Sequence, residues 1–516
     1  MPPPITLFNA DGLSSLQREF RSSMHSLLFD LCDDLEGRYR PAMVSLQLPL
    51  DYFRFLGEAL APGDYASWKV VGWIEELNDL VYFIDLREQF RREGNPVRFV
   101  RDLFAECEEK FYENSYRDDL FPAGTPQAAG LGQRLTDLCA RLARQVTAES
   151  LFLISGLPCV WLARKTTQSR GPWAVACDLG PNFERAELSG RISVGLDGAY
   201  LDPPPGLKRT LVGAKRTAFL IRPQAMALRA DGKMVPVLTY DNGCRWHWRT
   251  TAPCLLRPPS ESWPRGLTLG PTLVYRKDLS PWRVVETDPS LAIRIQRAVD
   301  TISQAWPDGA RILGLLTSRI VPLKARGVVS FSYRHRPGIS FINTFERDAF
   351  DLIDDLVHEN SHHHLNLLLR KYDMRRGDRN QEVFYSPWRR SLRPLHGILH
   401  ATFTFTMGAV LFDRLSFCTA AGFGAQQRLR ARFRCVEEVE SVSYSIRDLS
   451  HAADRLGWLS PSGVALVRAL AGRLASVRRR SASFRRQILR SRYGPALRRH
   501  IHTLEQARAT YGFPKP

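Results

Sequence analysis

The segment Val357-His358-Glu359-Asn360-Ser361-His362 restricts the fold of this chain more than any other feature. Two histidines four residues apart share a face only on an α-helix, where positions i and i+4 stand one turn apart. The flanking residues agree with a helix. Phe350, Ile353, Leu356 and Val357 recur at helical spacing, Asn343 or Thr344 is placed to cap the start, and Glu346 and Asp348 fall in the first turn. His358 and His362 are therefore expected to present their imidazoles to one metal ion. Glu359, on the adjacent face, would reach a water on that ion or hydrogen-bond a ligand. Asp351, Asp354 and Asp355, just before the motif, are candidates to orient a ring by accepting its second N–H.

A two-histidine pair needs a third protein ligand and an open position before it does chemistry. Downstream, Pro394-Leu395-His396-Gly397-Ile398-Leu399-His400 opens another helical pattern that continues through Phe403, Phe405 and Val410. His400, deeper in that helix, is the expected third ligand. His396 and the carboxylates Glu437, Glu438 and Glu440 are the alternatives. Between the two histidine pairs lies Phe384-Tyr385-Ser386-Pro387-Trp388-Arg389-Arg390-Ser391-Leu392-Arg393-Pro394. Guanidinium binds carboxylates in bidentate fashion, so Arg389 and Arg393 in this aromatic-proline loop suggest anion recognition beside the metal.

The rest of the chain divides by texture, and the expected fold class is α+β. Residues 1–148 read as a helical N-terminal region, in which Trp68–Ile74 and Leu80–Ile84 fit buried helix or strand equally well by period. Residues 149–288 form a β-rich middle section. There glycine and proline become frequent, short apolar runs such as Cys159–Ala163 and Val235–Tyr240 have strand length, and Ala230-Asp231-Gly232-Lys233 and Tyr240-Asp241-Asn242-Gly243 carry hairpin chemistry. Residues 289–450 form a mainly helical metal-binding catalytic domain. It opens with an amphipathic helix from Leu291 and continues through strands at Val328–Tyr333 and Ile339–Ile342. Residues 451–516 form a basic helical tail packed on that domain.

Composition narrows the setting. The net charge is +19, and Arg455–Thr503 contains no acidic residue. That tail is a solvated helix face or a docking surface for an acidic peptide or other polyanion. A nucleic-acid partner is not expected, because no zinc finger, RNP motif or recognition-helix signature accompanies the charge. The cysteines are odd in number, widely spaced and without a CxxC pair, which argues for buried thiols in a reducing compartment. Met1-Pro2-Pro3-Pro4 lacks the features of a signal peptide, and no run approaches the length of a membrane-spanning helix. A cytoplasmic location is the expectation.

From about Ser330 to Leu411 the chain resembles the HExxH-containing peptide-modification proteins found near ribosomally made peptide clusters, a family associated with 2-oxoglutarate-dependent peptide β-hydroxylation. The matching blocks are Ser332 with Pro337-Gly338, Leu356–His362 with Leu365, and Ser386-Pro387-Trp388-Arg389, Arg393-Pro394 and Gly397-Ile398-Leu399-His400. Asn360-Ser361 departs from the bulkier middle of many relatives, and Arg390-Ser391 stands where an acidic residue is common. The resemblance implies an Fe(II) centre on His358, His362 and a third ligand. It also implies 2-oxoglutarate as co-substrate, its distal carboxylate on Arg389 or Arg393, and a precursor peptide as partner. A zinc metallopeptidase using Glu359 as general base and a non-catalytic peptide-binding protein are the alternatives.

Overall fold

The computed structural model describes residues 9–153 and 289–513, apart from 94–96, 110, 112–115, 377–380 and 421. It also describes 254–257, 267–270 and the short strands given below between 175 and 247. The result is a mixed α+β fold in which helix dominates.

The helical periodicity of the N-terminal region becomes α1 (Ala10–Glu36), α2 (Arg40–Ser45), α3 (Leu50–Ala59), α4 (Trp68–Glu93), α5 (Val97–Glu109), α6 (Tyr116–Leu120) and α7 (Leu131–Leu153). Both ambiguous apolar runs lie in α4. That helix is covered on nearly every side, so no single apolar stripe marks its period. Trp73, Phe53, Phe83 and Tyr116 interlock edge-to-face around it, with ring centroids 5.4 Å apart for Phe53–Trp73 and 4.9 Å for Phe83–Tyr116.

The middle section supplies β1 (Val175–Asp178), β2 (Ile192–Val194), β3 (Ala199–Leu201), β4 (Thr217–Arg222), β5 (Ala225–Ala230), β6 (Lys233–Tyr240), β7 (Trp246–His247), β8 (Cys254–Leu256) and β9 (Leu267–Leu269). Five of them form an antiparallel sheet in the order β1-β4-β5-β6-β7, and β2 pairs with β3. Ala230 faces Lys233 across β5 and β6. The turn centres Asp231-Gly232 and Asp241-Asn242-Gly243, and the run Cys159–Ala163, lie outside the described residues.

A second five-stranded sheet crosses the boundary expected at 288/289. Its order is β11-β12-β10-β9-β8, built from β8 and β9 with β10 (Arg319–Leu323), β11 (Phe331–Ser332) and β12 (Ile339–Asn343). The central strand β10 runs parallel to both β9 and β12. Before it come α8 (Pro289–Ala305) and α9 (Pro307–Leu316). After the sheet come α10 (Ala349–Lys371), the hairpin β13 (Phe384–Ser386) and β14 (Ser391–Arg393), then α11 (Leu395–Leu415), α12 (Ala425–Asp454), α13 (Pro461–Leu489) and α14 (Gly494–Tyr511).

Two local expectations are corrected. The residues expected as one loop, Phe384–Pro394, form a hairpin, in which Ser386 pairs with Ser391 and Arg390 takes a positive φ of 53° at the turn. The cap of α10 is Asp348, whose carboxylate accepts from the Asp351 amide while the Asp351 side chain accepts from the Asp348 amide. Asn343 is instead the last residue of β12. Its amide group donates to the carbonyls of Ala325 and Val328 at 2.8 and 2.6 Å, contacts made across a loop that local sequence does not announce.

The helix α11 is long and apolar enough to cross a membrane, but 72% of its apolar window is buried inside the protein, consistent with the expectation of no transmembrane segment. Its apolarity reflects its place at the centre of the second core, among α10, α12 and α13. The cysteines described with their surroundings, Cys32, Cys107, Cys139, Cys418 and Cys435, are buried free thiols.

Candidate metal centre

The site lies where α10 packs between the second sheet and α11. One face of α10 turns to the sheet. His363 is buried there, with Ser340 Oγ of β12 at 3.1 Å from its Nε2 and the Gly338 amide donating to its Nδ1 at 3.4 Å. Gly338 has φ +90°, a conformation that glycine alone adopts without strain, and this conformation turns the chain into β12. Asn360 donates to Thr317 Oγ1 at 2.8 Å, and Ser361 Oγ donates to the Val357 carbonyl at 2.7 Å. The motif's polar middle is thus buried and satisfied, and it anchors α10 to the end of α9. His363 and His364, which in the sequence extend a His-rich run, are both buried.

The other face carries the metal pattern. The rings of His358 and His362 stand 5.0 Å apart, and ligand atoms of His358, Glu359 and His362 all lie within 4.8 Å of one another. His400, one turn into α11, brings its ring to 5.8 Å from that of His362. Imidazoles sharing an ion at bonds of about 2.1 Å have centroids roughly 5 Å apart, so modest rotamer adjustment would converge all three. Burial lowers the pKa of His358. It lowers that of His362 well below its ordinary value, aided by repulsion from His358, His400 and His363. Both rings are therefore neutral near pH 7, the form whose nitrogen lone pair binds a cation.

Glu359 is held from the sheet. Ser332 Oγ on β11 donates to its Oε2 at 2.9 Å, while burial pushes its pKa up to about 8, an effect the Ser332 bond moderates. Of the three aspartates, Asp351 pairs with Arg430, Asp354 with Arg434 at 3.4 Å, and Asp355 accepts from Ser330 at 2.9 Å. Asp354, one turn before His358, acts on that ring electrostatically and favours its protonated form.

The hairpin β13–β14 closes one side. Trp388 at its turn stacks on Phe405 of α11 at 4.2 Å and 6°, and Phe405 meets His358 edge-on at 5.0 Å. The indole N–H of Trp388 donates to Glu438 Oε2 at 2.8 Å. Arg389 follows in the turn, close enough to depress the pKa of His358. Arg393 lies over Gly397, where a Cβ would come within 3.1 Å of its Nε. Both arginine side chains are exposed to solvent.

The alternative ligands have other occupations. Glu437 and Glu438 pair with Arg434 at 2.7 and 2.9 Å, and Glu440 faces Arg485 at 3.7 Å. His396 stands one turn before His400 on the same helix, partly buried. The sequence reasoning did not single out Phe405, Arg434 or the bond from Ser332 to Glu359. A half-buried Trp388 needing an acceptor was the one local signal pointing toward Glu438.

No protein-family model and no curated protein matches the chain. The functional reading therefore rests on this geometry and on the motif blocks.

Proposed function

We propose that this chain is a metal-dependent oxygenase using Fe(II) and 2-oxoglutarate, held by His358, His362 and His400, that hydroxylates a side chain of a ribosomally made peptide. The observation that carries this reading is the His358–His362 pair, 5.0 Å between rings, with His400 of the packed helix α11 5.8 Å from His362, beside a hairpin bearing Arg389 and Arg393. An all-nitrogen donor set suits iron, zinc, copper or nickel, and the guanidiniums favour a carboxylate co-substrate. Iron bound there would supply oxygen activation, with 2-oxoglutarate as the source of electrons.

The chain's own residues supply the rest. The imidazoles would hold the ion from rigid helices, and Asn360 and His363 hold α10 against α9 and the sheet. Arg389 or Arg393 would pair with the distal carboxylate of 2-oxoglutarate. The Trp388–Phe405 stack shields His358 from solvent on the hairpin side. Glu359, fixed by Ser332, would orient the peptide or a ligand at the centre.

A second reading, a zinc peptidase with Glu359 as general base, draws on the closeness of its carboxylate to both imidazole nitrogens. Titrating anaerobic, iron-loaded protein with 2-oxoglutarate separates the two. A visible metal-to-ligand charge-transfer band is expected for the oxygenase. Its absence, together with stoichiometric zinc in the protein as purified, would leave the peptidase.

A further inference from the structure

We infer that the groove between the start of α12 and the end of α13 is a docking surface for an acidic, amphipathic peptide segment. Under the reading above, that segment belongs to the peptide being modified. Arg455–Thr503 contains no acidic residue, so the arginines of α13 find carboxylates only on other elements. Arg480 pairs with Asp413 and Arg485 with Glu440. Arg486 and Arg490 are exposed, one turn apart, and make no ion pair among the described residues. With Leu429, Gln487 and Ser491 they line an open groove of about 590 Å³.

Apolar surface continues from this cationic pair. Gln487 accepts from Arg432 at 2.9 Å, and the Arg432 guanidinium lies over Phe484 at 5.2 Å. Phe417 packs its ring 5.5 Å from that of Phe484, yet remains 60% exposed, among the most exposed large hydrophobic side chains described. Leu429 adds a second apolar contact within the groove itself. A nucleic-acid strand calls for a longer run of cations with aromatic faces in series for its bases, whereas the groove offers two adjacent guanidiniums beside aliphatic Leu429. A peptide whose acidic and apolar side chains alternate by helical turn calls for both: guanidiniums for carboxylates and apolar surface for the other face.

The test measures fluorescence anisotropy on the full chain without added metal. The probe is a short fluorescein-labelled peptide of glutamates and leucines in amphipathic helical order. Binding that weakens as salt rises is expected, and the double variant Arg486→Glu, Arg490→Glu should lower affinity about tenfold or more. Phe417→Ala and Leu429→Ala should each lower it severalfold with unchanged salt dependence, and an all-glutamate peptide should bind more weakly. If the charge reversal disturbs the thermal melt, Arg486→Gln with Arg490→Gln replaces it, and a loss of affinity is again expected. Unchanged binding in a folded arginine variant overturns the proposal. So does an all-glutamate peptide or a single-stranded polyuridylate that binds more tightly and is lost in the same variants. Because binding is read without metal, its failure leaves the charge-transfer test intact, and an absent band leaves the docking result standing.

Discussion

The core around α4 and the core around α10 are built on helices of similar length, 26 and 23 residues, yet they bury different chemistry. Around α4 the interior is mostly aromatic and aliphatic, with Glu76, Arg87 and Gln145 buried among it, and several of its aromatic tips are tied to nearby carbonyls. Trp73 Nε1 donates to Val146 at 3.1 Å, and Tyr52 and Tyr65 hydroxyls donate to Ser150 and Gly57. Around α10 the interior holds Glu359, Asn360, Ser361, His363 and His364. Glu359, Asn360 and His363 are matched by partners from other elements, which fixes the rotamers of the motif. The first core thus reads as scaffold, and the second spends part of its interior on holding a site.

The two are joined by a buried ion pair. Arg336, in the turn between β11 and β12, reaches Glu76 of α4 at 3.0 Å, with both side chains 1% exposed. Gly72 makes room for it, since a Cβ there would stand 1.6 Å from Arg336 Nη1. Trp68 of α4 covers the same sheet beside Val321, Leu323, Ile339 and Phe341.

The largest effect expected to separate the cores comes from the ligands. His358→Ala and His362→Ala should each abolish metal binding, read as metal content of the purified protein, while Trp73→Ala should keep its metal and lose about 3–5 kcal/mol of stability. Retention of stoichiometric metal by either histidine variant would refute the centre. Full occupancy in His400→Ala, with loss in His396→Ala, would move the third ligand one turn. Next, Gly72→Ala should displace Arg336 and leave Glu76 buried and uncompensated, costing about 3–5 kcal/mol in urea unfolding. A change under about 1 kcal/mol would mean that the cores are not coupled through this pair.

A third test uses pH. Burial raises the Glu438 pKa to about 7 from an ordinary 4.5, against the opposing pull of Arg434 and Trp388. A raised folded value favours the protonated form on folding. That contribution is complete below pH 4.5 and lost as pH climbs through about 7. Glu438→Gln should remove this pH-dependent contribution, on the order of 3 kcal/mol across the window. Equal slopes in the two proteins would contradict it. The smallest effect is expected for Ser332→Ala, about 1–2 kcal/mol, because a buried acceptor on Glu359 loses its donor.

What the sequence made legible was local. The helix over the motif, the pairing of His358 with His362, and the second helix carrying His400 all follow from spacing, and the structure has those helices. What it hid depended on distant partners. Asn343 looks like a helix cap until the carbonyls of Ala325 and Val328 claim it. Glu437 and Glu438 look like ligands until Arg434 engages them, although Arg434 lies only three and four residues away. That His363 and His364, which extend the His-rich run, are buried appears only in the fold, where α10 is covered on both sides. The pairing across the expected boundary at 289 was hidden for the same reason: β9 and β10 are adjacent in the sheet and far apart in the chain.

The helix α1 belongs to both cores. Ala10, Leu13 and Leu16 sit among residues of α8, α9 and α10, while Met24, Leu28, Leu31, Cys32 and Leu35 sit with α3 and α4. During synthesis, the segment around Leu13 is made before residues of the same core, such as Ile312, Leu313 and Ile353, which emerge some 300 or more residues later. At about 5–20 residues per second, that is a wait of tens of seconds. The second core therefore cannot close vectorially behind the ribosome. It closes only after translation has passed the motif, when the first turns of α1 at last have all their partners.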